Sequence, residues 1–312
     1  MLALVAGCAH YAPTGPGECP FDRAWYGELV DTWQQTSATV LGTPAPMADM
    51  QLFNDQCLWQ ISRTGHVVRA VRHRGTIRLP DGTSRPAEPW AVTVMDGQRP
   101  IVVMALQPVM ERAARTSTLP ADELTVGGAM HELTHTLGLP DVAARIERLP
   151  GRIRVFDTSH IQRRYGGVRA FAASMGREMA LLERAIANPD RCAGARTARR
   201  ALALTRARRS RFYRGQRIFD SKLEDMFLWL EGVADLVQLA YQRVRHPDTG
   251  LPVLVRRLGG ARPVWSQHLG LLVLLALRQQ GALERPPGRE ISLAPVHVLE
   301  RVVRARLRAC DG

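Results

Sequence analysis

The chain of 312 residues changes hydrophobic texture once, near Gln107, and that change narrows the folds open to it. Before it, short β-rich runs follow one another over residues 58–62, 66–73, 76–79, 90–95 and 101–106. Thr64-Gly65, Asp81-Gly82 and Asp96-Gly97 punctuate these runs and predict hairpins. An amphipathic helix is expected ahead of them, over residues 22–35. After Gln107 the pattern is helical to the end, with helices expected over 121–137, 168–187, 195–210, 222–245, 266–280 and 295–308. A small antiparallel sheet followed by a run of helices predicts an α+β fold. With 46% hydrophobic residues the chain can bury a substantial core, so disordered and collagen-like classes are excluded. The longest apolar run, 269–277, contains Gly270 and is far shorter than the ~20 residues a membrane span requires. It fits a buried core helix.

Chemistry concentrates in His131-Glu132-Leu133-Thr134-His135. Four positions along a helix rotate a side chain by about 40° and advance it one turn, so both imidazoles can face one metal ion. Glu132, offset by about 100° from His131, falls beside a water on that metal rather than on the ion. This is the spacing of a zinc-hydrolase helix with the glutamate as general base. Chance would produce H-E-x-x-H about 0.01 times in a chain of this His and Glu content, so two merely solvated histidines are the weaker reading. Gly138 and Pro140 are expected to end the helix directly after the motif.

A catalytic zinc takes three protein ligands and keeps one position open. Two residues compete for the third place. Asp141 completes His131-Glu132-x-x-His135-x-x-Gly138-x-x-Asp141, which resembles the metzincin pattern with aspartate for the last histidine; Met175 would then supply the methionine turn. Glu231 stands four residues before Asp235 in the apolar run Phe227-Leu228-Trp229-Leu230-Glu231-Gly232-Val233-Ala234-Asp235. Two carboxylates on a buried face are costly without a cation, and no Lys or Arg lies three or four positions before Glu231 or after Asp235. That arrangement resembles the gluzincins, the thermolysin-like families, and the resemblance covers two helices. It implies a zincin-like fold around the H-E-x-x-H helix, and zinc held by His131, His135 and Glu231. It also implies Glu132 as base, Asp235 supporting His131, and a peptide or protein substrate. Ninety-five residues separate His135 from Glu231, a long insertion for that clan. Ser221 and Glu224 read as a capping box at the start of the Glu231 helix, and Gly232 suits a close approach by another backbone. The oxyanion-stabilising residue is left open among His160, Tyr165, Tyr213 and Tyr241, and a substrate-pairing edge strand is expected at 101–106. The competing class is a non-catalytic zincin-like scaffold or an arginine-rich binder of anionic envelope polymers.

Val5-Ala6-Gly7-Cys8 resembles the lipobox of bacterial lipoproteins, shortened and without a basic start, which implies lipidation of Cys8 and anchoring on the periplasmic side of a bacterial envelope. A cytoplasmic location is the alternative. The chain then divides into this segment and a Gly/Pro-rich tether over 1–20, an α/β lobe over 21–110 and a helical zinc-binding lobe over 111–312, the lobes enclosing one site. Four further cysteines are expected to pair as Cys19–Cys57 and Cys192–Cys310, each pair within one lobe. The net charge is +13, and Lys222 is the sole lysine among the 42 basic residues. Ten arginines and no acid fall within residues 191–217. They read as a solvated helix face more readily than as a phosphate-tracking surface, and no nucleic-acid partner is expected. His66, His73, His246, His268 and His297 lack ligand spacing and read as structural or surface residues.

Overall fold

A computed structural model describes residues 19–149, 158–259, 264–283 and 294–311. Cys8, the proposed lipidation residue, lies outside the described residues. The fold is α+β, and the chain groups into two compact units, Met1–Asp31 with Pro46–Ala129 and Thr32–Ala45 with Met130–Gly312. The boundary thus falls inside two helices, α1 (Arg23–Leu41) and α3 (Ala121–Glu147), rather than after residue 110.

The first unit holds β1 (Asp49–Phe53), β2 (Cys57–Ile61), β3 (Val67–Arg72), β4 (Thr76–Arg78), β5 (Ser84–Pro86), β6 (Ala91–Asp96) and β7 (Arg99–Ala105). The hairpins form where Thr64-Gly65, Asp81-Gly82 and Asp96-Gly97 predict them, each glycine turning at positive φ. The five-stranded sheet has the order β3-β2-β1-β7-β6, and β4 pairs only with β5. It is mixed, not antiparallel, because β1 and β7 run parallel, Gln51 beside Val103. The strand responsible is β1, a five-residue run buried on both faces from Met50 to Phe53, the polar Gln51 included, whose amide donates to the Arg78 carbonyl. Its insertion makes β7 internal, so the expected edge at 101–106 is corrected to β6 and β3. The next helix, α2 (Gln107–Ala114), drops Val109 and Met110 into the core with Phe53, Leu58, Ile77 and Val103. That packing is why residues past 110 belong with the sheet. A disulfide joins Cys19 to Cys57, and the Trp59 indole N–H donates to the Cys19 carbonyl at 3.0 Å.

The second unit adds α4 (His160–Tyr165), α5 (Arg169–Ala187), α6 (Arg191–Phe212), α7 (Phe219–Arg245), α8 (Leu251–Gly259), α9 (Trp265–Gln279) and α10 (Pro295–Asp311). Leu182, Leu202, Leu236, Leu272 and Leu299 belong to one core to which all seven of these helices contribute. As expected, 269–277 lies inside a buried core helix, and no helix of the described residues is long and apolar enough to cross a membrane. The anticipated stop at Gly138 and Pro140 does not occur: α3 continues to Glu147. Proline removes one ladder hydrogen bond, but Leu139, Val142 and Ile146 repeat at helical spacing and are at most 5% exposed. Their burial outweighs the lost bond.

Helices α7 and α9 meet backbone to backbone. A Cβ built on Gly232 would lie 2.6 Å from the Gly270 carbonyl carbon, and one on Gly270 would lie 2.4 Å from the Leu228 carbonyl oxygen. Any side chain at either position forces the helices apart. The close approach expected at Gly232 therefore exists, and its partner is Gly270.

Candidate metal centre

His131 and His135 occupy successive turns of α3, with ring centroids 4.6 Å apart and ring planes at 89°. Glu231 reaches them from α7. Its Oε2 lies 3.2 Å from His131 Nε2 and 3.6 Å from His135 Nε2, and the three donors fall within 4.8 Å of one another. The first distance is at the long end for an N–H···O bond and the second exceeds one. Two ligands each about 2.0–2.1 Å from a tetrahedral zinc stand about 3.4 Å apart, midway between the two observed separations. The donor set, two imidazoles and a carboxylate, fits a divalent metal ion such as zinc. Among the described residues this is the sole such cluster of three.

The surroundings match a cation in charge. His131, His135 and Glu231 are 7%, 7% and 2% exposed. Asp235 Oδ1 lies 2.9 Å from His131 Nδ1, so the imidazole is oriented by its far nitrogen while Nε2 faces Glu231. Burial disfavours charge on His131, but the bonds to Asp235 and then Glu231 prevail and hold its proton affinity well above the usual histidine range. Burial likewise opposes ionisation of Glu231, yet the facing His135 and His131 hold its carboxyl well below the usual range. The two carboxylates facing these imidazoles equal the charge of one divalent ion. His135 Nδ1 is buried without a hydrogen-bond partner among the described residues, so only one of the two histidines has its outer nitrogen braced. Glu132, one residue along α3 from His131, is partly exposed.

Asp141 is not brought into this cluster. Because α3 runs on through Pro140, Asp141 sits six residues beyond His135, about 9 Å farther along the same axis, and its side chain is exposed. Met175 is buried inside α5 and forms no turn. Asp141 is excluded by the helix that Gly138 fails to end, and Met175 by its place inside α5. Of the four oxyanion candidates, Tyr165 donates to Asp220 and Tyr213 to Glu224. Burial and those carboxylates push both phenols well above the ordinary tyrosine range. His160 lies 3.8 Å from the same Asp220. Tyr241 is buried, ten residues past Glu231 on α7.

The capping-box reading of Ser221 and Glu224 is corrected: α7 begins at Phe219, and Glu224 points into the core. There Arg208, its side chain fully buried, grips two carboxylates with paired bonds, Glu178 at 2.7 and 2.9 Å and Glu224 at 2.8 Å twice. Thr205 and Ser174 also donate to Glu178, and the guanidinium lies 4.9 Å from the Phe171 ring centroid. Arg209 binds Glu224 and Asp225. The solvated-face reading of residues 191–217 therefore fails at these two arginines and holds for the exposed remainder.

The sequence carries a periodic signal for this network. Asp220, Glu224, Glu231 and Asp235 fall within about 60° of one another around α7, one continuous acidic stripe, and all four are buried. Each carboxylate meets its own partner: Tyr165 and Arg164, then Arg208, then the two imidazoles, then His131 Nδ1. Glu178 likewise continues the buried stripe Phe171-Met175-Leu182-Ala185, and Arg208 the stripe Ala198-Ala201-Thr205. No known family model, curated protein or solved structure matches the chain.

Proposed function

We propose that this protein is a zinc-dependent hydrolase of gluzincin type, most simply a peptidase, working outside the cytoplasm. The observation that carries the reading is the meeting of His131 and His135 with Glu231, 100 residues from His131 in sequence, at separations of tetrahedral ligands. On this reading the H-E-x-x-H helix and the helix bearing Glu231 are the ligand helices of a zincin-like fold. Zinc supplies Lewis acidity, which makes water a nucleophile near neutral pH and polarises a scissile carbonyl. Glu132 accepts the proton of the attacking water and returns it to the leaving amine. Asp235 fixes the tautomer of His131, keeping Nε2 free to ligate. Glu231 brings the negative charge that makes a divalent ion preferable to a proton between the imidazoles. Two disulfides support the reading of an oxidising compartment.

Three proteins test this together: wild type, Glu132→Gln and Glu231→Ala, each assayed for bound zinc and for release of fluorescent peptides from a quenched protein substrate. The wild type is expected to hold about one zinc per chain. Glu132→Gln should keep the metal and lose activity by about two to four orders of magnitude. Glu231→Ala should lose the metal, and Asp141→Ala should keep it. A wild type that binds no zinc, or hydrolysis undiminished in Glu132→Gln, overturns the proposal.

A further inference from the structure

Four of the arginines that the buried network leaves exposed border one groove. Arg199 and Arg206 stand two turns apart on α6, and Arg304 and Arg308 one turn apart on α10. The two helices run antiparallel, since Cys192 at the start of α6 is bonded to Cys310 at the end of α10, and Arg206 lies 3.5 Å from Glu300. Between them is a groove of about 390 Å³, floored by Leu202, Val303 and Leu307 and bordered by the four arginines. Its two acids are Glu300, which faces Arg206 and His297, and Asp311 at the stapled end. Arg199, Arg304 and Arg308 form no ion pair with a described residue. The groove therefore offers three guanidiniums with no ion-pair partner among the described residues, above the buried Leu202, Val303 and Leu307.

We propose that the α6–α10 groove docks the protein on an anionic phospholipid surface, the exposed arginines on its borders binding lipid phosphates. Guanidinium forks match phosphate oxygens in geometry, and clustered arginines draw a protein to a negatively charged leaflet. The disulfide that staples the groove selects among phosphate-rich partners. It belongs to an oxidising compartment, where membrane phosphates are abundant and nucleic acids are not. The net charge of +13 favours the same encounter. The inference is independent of the metal centre, and none of the four arginines touches it.

The test is flotation of the full chain with vesicles of phosphatidylcholine, pure or mixed with phosphatidylglycerol. Every sample carries Cys8→Ser, so that no lipid anchor contributes. Binding is expected to the mixed vesicles only, and to weaken as salt rises. Replacing Arg199, Arg206, Arg304 and Arg308 by glutamine should lower partitioning about fivefold per guanidinium, about two orders of magnitude or more in total. The pair Arg304→Gln/Arg308→Gln, about 25-fold weaker on the same scale, replaces the quadruple variant should that fail to fold. A charge-matched control replaces the exposed Arg63, Arg69, Arg74 and Arg78. Control and groove variants losing binding equally would mean that net charge, not the groove, is responsible, and overturns the proposal. So does equal binding to pure phosphatidylcholine, or an oligonucleotide that binds more tightly than the mixed vesicles and loses that binding in the groove variant.

Discussion

At the scale of single residues, Arg208 has the most to lose. Its guanidinium is fully buried between Glu178 and Glu224, so removing it strands two carboxylates in the core. Breaking a buried ion pair from one side costs about 3–5 kcal/mol, because the remaining charge has no water to turn to. Arg208→Met is expected to lower the unfolding free energy by that amount in urea titrations. The pH profile supplies an independent readout. Burial opposes ionisation of Glu224, but Arg208 and Arg209 prevail and hold its carboxyl far below the ordinary value of about 4.3. A depressed folded value stabilises the native state fully above the unfolded one, and that stabilisation is lost as pH falls below about 4 towards the folded value. The wild type should therefore lose stability steeply on the acid side of pH 4, a slope that Arg208→Met largely abolishes. An unchanged acid limb would mean that Glu224 does not depend on this arginine.

At the scale of elements, the placement of the third metal ligand depends on how deeply α7 settles against α9. Gly232 adjoins Glu231, and its missing side chain lets the two backbones touch at Gly270. Gly232→Ala must separate the helices, an overpacking effect of about 1–3 kcal/mol. Displacing Glu231 with them should weaken zinc binding by about tenfold or more, as losses of ligand support do. Gly138→Ala is the matched comparison. There the new Cβ meets only the Leu230 Cδ1 at 3.2 Å, the movable end of a side chain. Removing a mid-helix glycine also gains up to about 1 kcal/mol, so zinc affinity and stability should hold or rise slightly. If both variants bind zinc like the wild type, the α7–α9 crossing does not set the ligand's position.

At the scale of the whole molecule, each compact unit carries its own disulfide. Cys192–Cys310 spans 118 residues and encloses most of the helical unit, whereas Cys19–Cys57 spans 38. Closing the longer loop restricts the unfolded chain more, so Cys192→Ser/Cys310→Ser should cost about 2–5 kcal/mol in the unfolding of the helical unit. Thiol titration of denatured, unreduced protein should leave Cys19, Cys57, Cys192 and Cys310 unreactive. Four additional reactive thiols would remove the argument for an oxidising compartment.

The α+β order, the hairpins and the His131–His135–Glu231 meeting could be read from the chain because each rests on a local rule, and the disulfide pairings because each pair lies within one lobe. A glycine must turn, four positions make a helical turn, and a carboxylate in an apolar stripe requires a partner. The identity of that partner could be named only when one helical residue supplied two compatible clues, as at Glu231 and Asp235. Tertiary structure alone decided the rest. It buried β1 on both faces, the polar Gln51 included, and it carried α3 through Pro140 by enclosing Leu139, Val142 and Ile146, which removed Asp141 from contention. It also drew Arg208 out of an arginine-rich stretch into the core. In each case a long-range burial energy outweighed a local preference, and no window of sequence contains both sides of that balance.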